Sequence, residues 1–246
     1  MQWSDEGIVL SARRHGESAV ILSLLTRDHG RHAGLVRGGA GRRARGQYQP
    51  GNRVDATWRA RLAEHLGNYT CEPLGGAVAT LLDDPARLAG LAAACAVSEA
   101  ALPEREPHPA AFAGLAALIE GLEGEVWAQA YVQWEVEMLR ELGYGLDLST
   151  CAATGSNDGL AYVSPKSGRA VSRSAGEPYH DRLLSLPGFL IGENGGAVLA
   201  EVAAGLRLTG YFLDRHVFAP HDRTLPPARL RLADRFPGEQ ASNESG

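Results

Sequence analysis

The sequence predicts an α+β protein of more than one domain, with strands first and helices after. Three observations predict this. The chain has 246 residues, more than one ordinary domain needs. The period of its apolar residues changes from about two to about 3.6 near Pro73. Its net charge of −5 is unevenly divided: eleven arginines face five acids over residues 1–61, a local charge of +6, while the remainder carries −11. A basic module is joined to an acidic one, the division expected of a polyanion-binding part and a part that meets other molecules. Only Lys166 among the 24 basic residues is lysine, so arginine preference alone decides nothing.

The strand module begins with the apolar-rich run Gly7 to Ala12 and the β-rich segment Ala19 to Thr26. Asp28-His29-Gly30 then turns the chain into Arg31 to Arg37, which reads as a hairpin. From Arg53 to Arg61 the alternation is strict: Val54, Ala56, Trp58 and Ala60 point one way, and Arg53, Asp55, Thr57, Arg59 and Arg61 the other. One face is buried and the other is largely cationic. A short strand around Asn68 to Glu72 brings the count to five. Five strands in residues 1–78 with a long Gly/Arg loop between the third and fourth fit a closed OB-fold β-barrel, though other small barrels fit nearly as well.

Residues 79–236 read as an all-helical domain. Leu88, Leu91, Ala92, Cys95, Glu99 and Leu102 follow helical spacing between Pro85 and Pro103; Phe112 to Leu122 and Ala128 to Leu142 repeat it, and a last helix covers about Gly196 to Val217. Between them, at about 149–176, lies an irregular insertion with a short hairpin turning at Pro165 to Gly168. Residues 237–246 are polar and are expected to be disordered. Acidic and basic residues in the first twenty positions argue against a signal peptide, and no apolar run reaches the roughly 18 residues of a membrane span, so a cytoplasmic protein is expected.

The most informative segment is LVRGGAGRRARGQYQPG, residues 35–51. Gly39 to Ala44 matches the dinucleotide pattern G-x-G-x-x-A, but that pattern needs a helix to start at once, and Gly46, Pro50 and Gly51 are expected to break one. No P-loop GK[ST] follows. A flexible loop remains, carrying Arg37, Arg42, Arg43 and Arg45 without an interleaved acid, and such a cluster calls for a polyanion. Arg31, Arg53, Arg59 and Arg61 extend the candidate surface. Tyr48, in the loop, is the stacking candidate, whereas Trp58 falls on the buried side of its strand.

Signals for chemistry are lacking. Cys71, Cys95 and Cys151 are too few and too widely spaced for a disulfide framework or a C-x-x-C metal site, and neither GxSxG nor HExxH occurs. The chain is therefore expected to be no enzyme, to need no cofactor or metal, and to hold its cysteines as buried, reduced thiols.

GIVL (7–10), HGES (15–18), LLTRDHG (24–30), VRGGAGRR (36–43) and QPG (49–51), then WEVEMLRELGYGLDLSTCAATG (134–155), YVSPKSGRAV (162–171) and LPPARLRL (225–232), occur in an order that resembles the RecO family of bacterial DNA repair proteins. The resemblance implies an N-terminal OB-fold, a helical C-terminal domain and a recombination mediator of the RecF pathway. Such proteins bind single- and double-stranded DNA, anneal complementary strands, and assist RecA loading with RecR and SSB. It places the DNA-binding loop at Arg37, Arg42, Arg43 and Arg45. Some members carry a four-cysteine zinc module; this chain keeps Cys151 but has Thr154, Val171 and Ser174 where the other cysteines would stand, so no zinc is expected. Three other readings of the residues are an RNA-binding OB-fold adaptor, a protein scaffold without DNA activity, and an enzyme with a scattered site.

Overall fold

The computed structural model describes residues 1–76, 78–193 and 198–237. The chain forms two compact units, Met1–Glu125 and Val126–Gly246. The expected disordered stretch 237–246 lies outside the described residues apart from Pro237.

In the first unit, β1 (Gln2–His15), β2 (Ala19–Thr26), β3 (Gly30–Val36), β4 (Arg53–Arg59) and β5 (Asn68–Gly75) close a barrel in the order β1-β2-β3-β5-β4. β1 is longer than the apolar run Gly7 to Ala12 suggests. Its first half pairs with β4 from Gln2 to Ile8 and its second half with β2 from Gly7 to His15, with a register shift between Val9 and Ser11. A bulge of this kind bends a strand enough to serve two neighbours, and that bend closes the sheet. Alternation then sends Val9, Val20, Leu22, Leu24, Val36, Val54, Ala56, Trp58 and Tyr69 into the barrel. The β2–β3 turn requires glycine: Gly30 has φ +66°, and a Cβ there would lie 1.8 Å from the Glu106 carbonyl oxygen.

The Gly/Arg loop corrects one expectation. Residues Arg42–Gln47 form a short helix, α1, despite Gly46. Tertiary packing outweighs the glycine here, because Ala40 and Tyr48 are buried in the barrel core and Ala44 packs against it. The backbone N–H groups of Arg45 and Tyr48 donate to the Gly41 and Ala44 carbonyls, closing the turns. Pro50 and Gly51 still end the segment. With six residues, α1 remains too short for a dinucleotide fold.

After α2 (Val78–Leu81) come α3 (Pro85–Ala101) and α4 (Pro109–Gly121), as the helical periodicity predicts. Asp84 caps α3 by accepting from the backbone N–H groups of Ala86 and Arg87 at 3.0 and 3.1 Å. The Ser11 hydroxyl on β1 donates to Glu99 of α3 at 2.6 Å.

The second unit holds α5 (Trp127–Glu141), α6 (Arg173–Gly176), α7 (Val198–Phe212), a π-helical continuation over Leu213–Phe218, and α8 (Pro227–Ala233). The expected helix start at Gly196 lies outside the described residues. The unit is not all-helical. The hairpin β6 (Leu160–Val163) and β7 (Ala170–Ser172) gains a third strand, β8 (Leu184–Ser185), in the order β7-β6-β8. β8 is two residues long, too short to leave an alternating pattern. At the core of this unit, Glu135 and Arg229 form a fully buried ion pair. Among the described residues no helix is long and apolar enough to cross a membrane.

Candidate nucleic-acid interface

Strand register puts Arg13 and Arg59 at the two ends of one line around the barrel. Arg13 pairs with Ile21, Ile21 with Leu35, Leu35 with Asn68, and Asn68 with Arg59. All five are exposed or half-buried, whereas Val20, Leu22, Val36, Trp58 and Tyr69 beside them are buried. The line therefore lies on the outer surface. Two rungs along β4 and β5, Asp55 faces Glu72, and the cationic surface stops there.

The segment after β3 adds to the Arg13 end. The Ala40 backbone N–H donates to the Ser18 carbonyl at 3.0 Å, which holds the loop against the β1–β2 turn. Arg37, Arg42 and Arg45 are exposed there, and Arg14 reaches the Glu17 carbonyl at 3.3 Å. The Arg45 Nε donates to the Ala40 carbonyl at 3.1 Å, pinning its own helix. The Arg43 side chain lies outside the described part of the molecule. At the other end, Arg59 and Arg61 are exposed at the start of the β4–β5 loop. The side chains of Arg13, Arg37, Arg42, Arg59 and Arg61 make no hydrogen bond or ion pair with a described residue, so their charge faces solvent uncompensated. Arg13 and Arg14 escape the sequence reading because the antiparallel register, not sequence proximity, joins them to the rest.

Three residues of the sequence reading are placed differently. Arg31 donates to the Leu102 carbonyl at 2.7 Å and to Glu104 at 3.1 Å. Arg53 bonds Glu6 through Nε at 2.6 Å and Glu120 at 3.3 Å, and Glu6 also takes Arg27. Both guanidinium groups already meet carboxylates. Tyr48 is 7% exposed and belongs to the barrel core, so its ring is not open to a base. The same packing that forms α1 buries it.

The barrel mouth at the β2–β3 turn is aromatic. Trp3 stacks on His29 with centroids 4.0 Å apart and lies 5.7 Å from Trp58, both nearly parallel to it. The Asp5 carboxylate bonds the His29 Nδ1 at 3.0 Å. His32 is 3% exposed and meets Trp3 and Trp58 edge-on. Burial first, and then the Arg105 charge, push its pKa down from 6.5 to about 4, so its ring is neutral at pH 7. Between those values the unfolded chain binds a proton that the folded chain does not. The stability that the neutral His32 ring contributes is fully present above pH 6.5 and is lost as pH falls toward 4, by about 3 kcal/mol in all. Urea midpoints measured at pH 7 and pH 4.5 are expected to show that loss in the wild type and much less of it in His32→Gln.

In the second unit, Cys151 is buried at 1% exposure. Its sulfur accepts from the Ser172 backbone N–H at 3.2 Å and lies 3.4 Å from the Ser172 hydroxyl, which in turn meets Ser174. Burial pushes this thiol up, but hydrogen bonds from Ser172, Thr154 and the backbone of Ser172 and Ala153 outweigh it and hold the pKa at about 6. Hydroxyls surround the lone sulfur. Among the described residues no group of three or more His, Cys, Asp or Glu is placed to hold a metal ion.

Comparison with known proteins places the chain in a class of recombination proteins. Residues 1–75 match the family model "Recombination protein O N terminal" and residues 82–225 match "Recombination protein O C terminal". The chain is 58% identical over 238 residues to the DNA repair protein RecO of Rhodospirillum centenum, covering 96% of this chain and 95% of that one. It is 54% identical to the DNA repair protein RecO of Phenylobacterium zucineum over 237 residues, 96% of this chain and 98% of that one. The corresponding protein of Methylobacterium nodulans is 54% identical over 235 residues, 93% and 95% of the two chains. The chain belongs to the RecO family, and its role lies in DNA repair and recombination.

Proposed function

We propose that this chain is a cytoplasmic recombination mediator that binds single- and double-stranded DNA through phosphates, anneals complementary strands, and assists RecA loading together with RecR and SSB. The observation that carries this reading is the line across the barrel surface that ends in uncompensated arginines, Arg13 with Arg37 and Arg42 at one end and Arg59 with Arg61 at the other. Arginines aimed at phosphates hold a strand without occupying its base edges, and a strand held that way can still pair with its complement. No covalent bond is made or broken, and the reading requires no cofactor. With hydroxyls around Cys151, zinc has too few soft ligands there, so the insertion is read as zinc-free. The strand order β1-β2-β3-β5-β4, with a helix between β3 and β4, supports reading the barrel as an OB-fold. In such barrels the β1–β2 and β4–β5 loops flank the nucleic-acid face, and the arginine line runs between those two loops. Residues 62–246, which together carry −11, suit protein partners better than DNA.

Salt titration of single-strand binding tests the proposal. Five neutralised phosphates give a log K against log salt slope of about −3.5, at about −0.7 for each contact. Annealing of complementary oligonucleotides should weaken along the same curve. A slope near zero would overturn the reading.

A further inference from the structure

We propose that the aromatic mouth of the barrel receives one unstacked base of single-stranded DNA, placed on the open end of the Trp58–Trp3–His29 ring column; this rests on the DNA-binding reading above. The column ends at His29, whose side chain is 35% exposed, and Asp5 fixes that ring through Nδ1. A flat, oriented ring with one covered face and one accessible side is a stacking platform, and every base has a π-face to offer it. The cavity beside it has a volume of about 290 Å³ and is lined by Trp3, Asp28, His29, His32, Ala63 and Arg105, among others. That is at the lower edge of the roughly 300–1,000 Å³ of drug-sized sites, so it suits a single planar ring system.

Polar groups at the rim match the edge of a base and its backbone. Asp28 offers an acceptor and Arg105 a cation. Arg105 is one of two non-glycine residues with positive φ among those described, at +62°, in the left-handed region that residues with a side chain rarely adopt. Its backbone N–H donates to the Arg31 carbonyl at 2.7 Å and its Nη2 to the His65 carbonyl at 3.0 Å, so the strained backbone is held and the guanidinium is set beside the β4–β5 loop. That loop joins the two features: Arg61 stands on it at the end of the arginine line, and Ala63 lines the cavity. A strand tracked by its phosphates along the line is delivered to the mouth. Bases in a duplex are already stacked and paired, so the mouth discriminates in favour of single strands.

The test uses the full chain with a fluorescent oligo-dT, the same strand with abasic sites throughout, and a duplex. His29→Ala is expected to weaken oligo-dT binding on the order of tenfold, with the salt slope unchanged, and to leave the abasic strand and the duplex unaffected. His29→Phe, which keeps a ring, should retain most of the affinity. Quenching of tryptophan emission by oligo-dT but not by the abasic strand provides a second readout in the wild type. Equal oligo-dT binding by His29→Ala and wild type overturns the proposal while leaving the arginine line standing, as does an equal loss on the abasic strand. Failure of the wild type to bind any of the three DNAs overturns both readings together.

Discussion

Glu135→Leu is expected to destabilise the second unit by about 3–5 kcal/mol, the cost of leaving a buried guanidinium without its counter-charge. Glu135 is 0% and Arg229 1% exposed. The carboxylate accepts from Arg229 Nε and Nη2 at 2.5 and 2.9 Å, from the Tyr131 hydroxyl at 2.9 Å and from Thr209 at 2.5 Å. Arg229 Nη2 also donates to the Leu206 carbonyl at 2.7 Å. Burial alone pulls the Arg229 pKa down, but the Glu135 carboxylate and Tyr131 outweigh it and push the pKa above its ordinary value. A guanidinium is not deprotonated in proteins even when buried, so Arg229 stays charged when its partner is lost. For a unit of this size the loss corresponds to a fall in Tm on the order of 10–20 °C by calorimetry. The double variant Glu135→Leu, Arg229→Met removes both charges and fills similar volume, so it should recover most of the stability. A double variant as unstable as the single one would show that packing, not charge, dominates the site.

That pair marks where the sequence stops being legible. Glu135 sits on the apolar stripe of α5, where a reader sees a polar interruption, and its partner is 94 residues away in a segment with no strong helical pattern. Local periodicity carries β2, β3 and β4 and the helices α3, α4 and α5, because each buries one face at a regular spacing. It fails where tertiary contacts decide. α1 forms because Ala44 and Tyr48 find the barrel core, which also removes Tyr48 from the set of exposed rings. β1 extends to Gln2 because a bulge lets it serve two neighbours. The arginines of the loop are plain in the sequence. Their division into free and paired groups is not, since Glu6, Glu104 and Glu120 reach Arg53 and Arg31 across long sequence separations. The mouth is hidden for the same reason: Asp5 and His29 are 24 residues apart and meet only after β1 and β2 pair.

That division also sets the sharpest expectation for DNA. Replacing Arg13, Arg37, Arg42, Arg59 and Arg61 together by Ala is expected to flatten the single-strand salt slope by about 3.5 and to lower affinity at 0.1 M salt on the order of a thousand-fold. All five are exposed and bond to no described residue, and surface substitutions of that kind usually change stability by no more than about 0.5 kcal/mol each. Melting should move little and could rise, because like charges lined up along β1, β4 and the β3–β4 segment repel one another. Arg31→Ala provides the contrast. It removes the bonds to Leu102 and Glu104 that tie β3 to the end of α3, so it should lower the melting temperature while leaving the salt slope nearly intact. A fivefold variant that anneals and binds with the wild-type slope would move the DNA path off this face, whereas a slope lost to Arg31→Ala alone would place it along the β3–α3 junction.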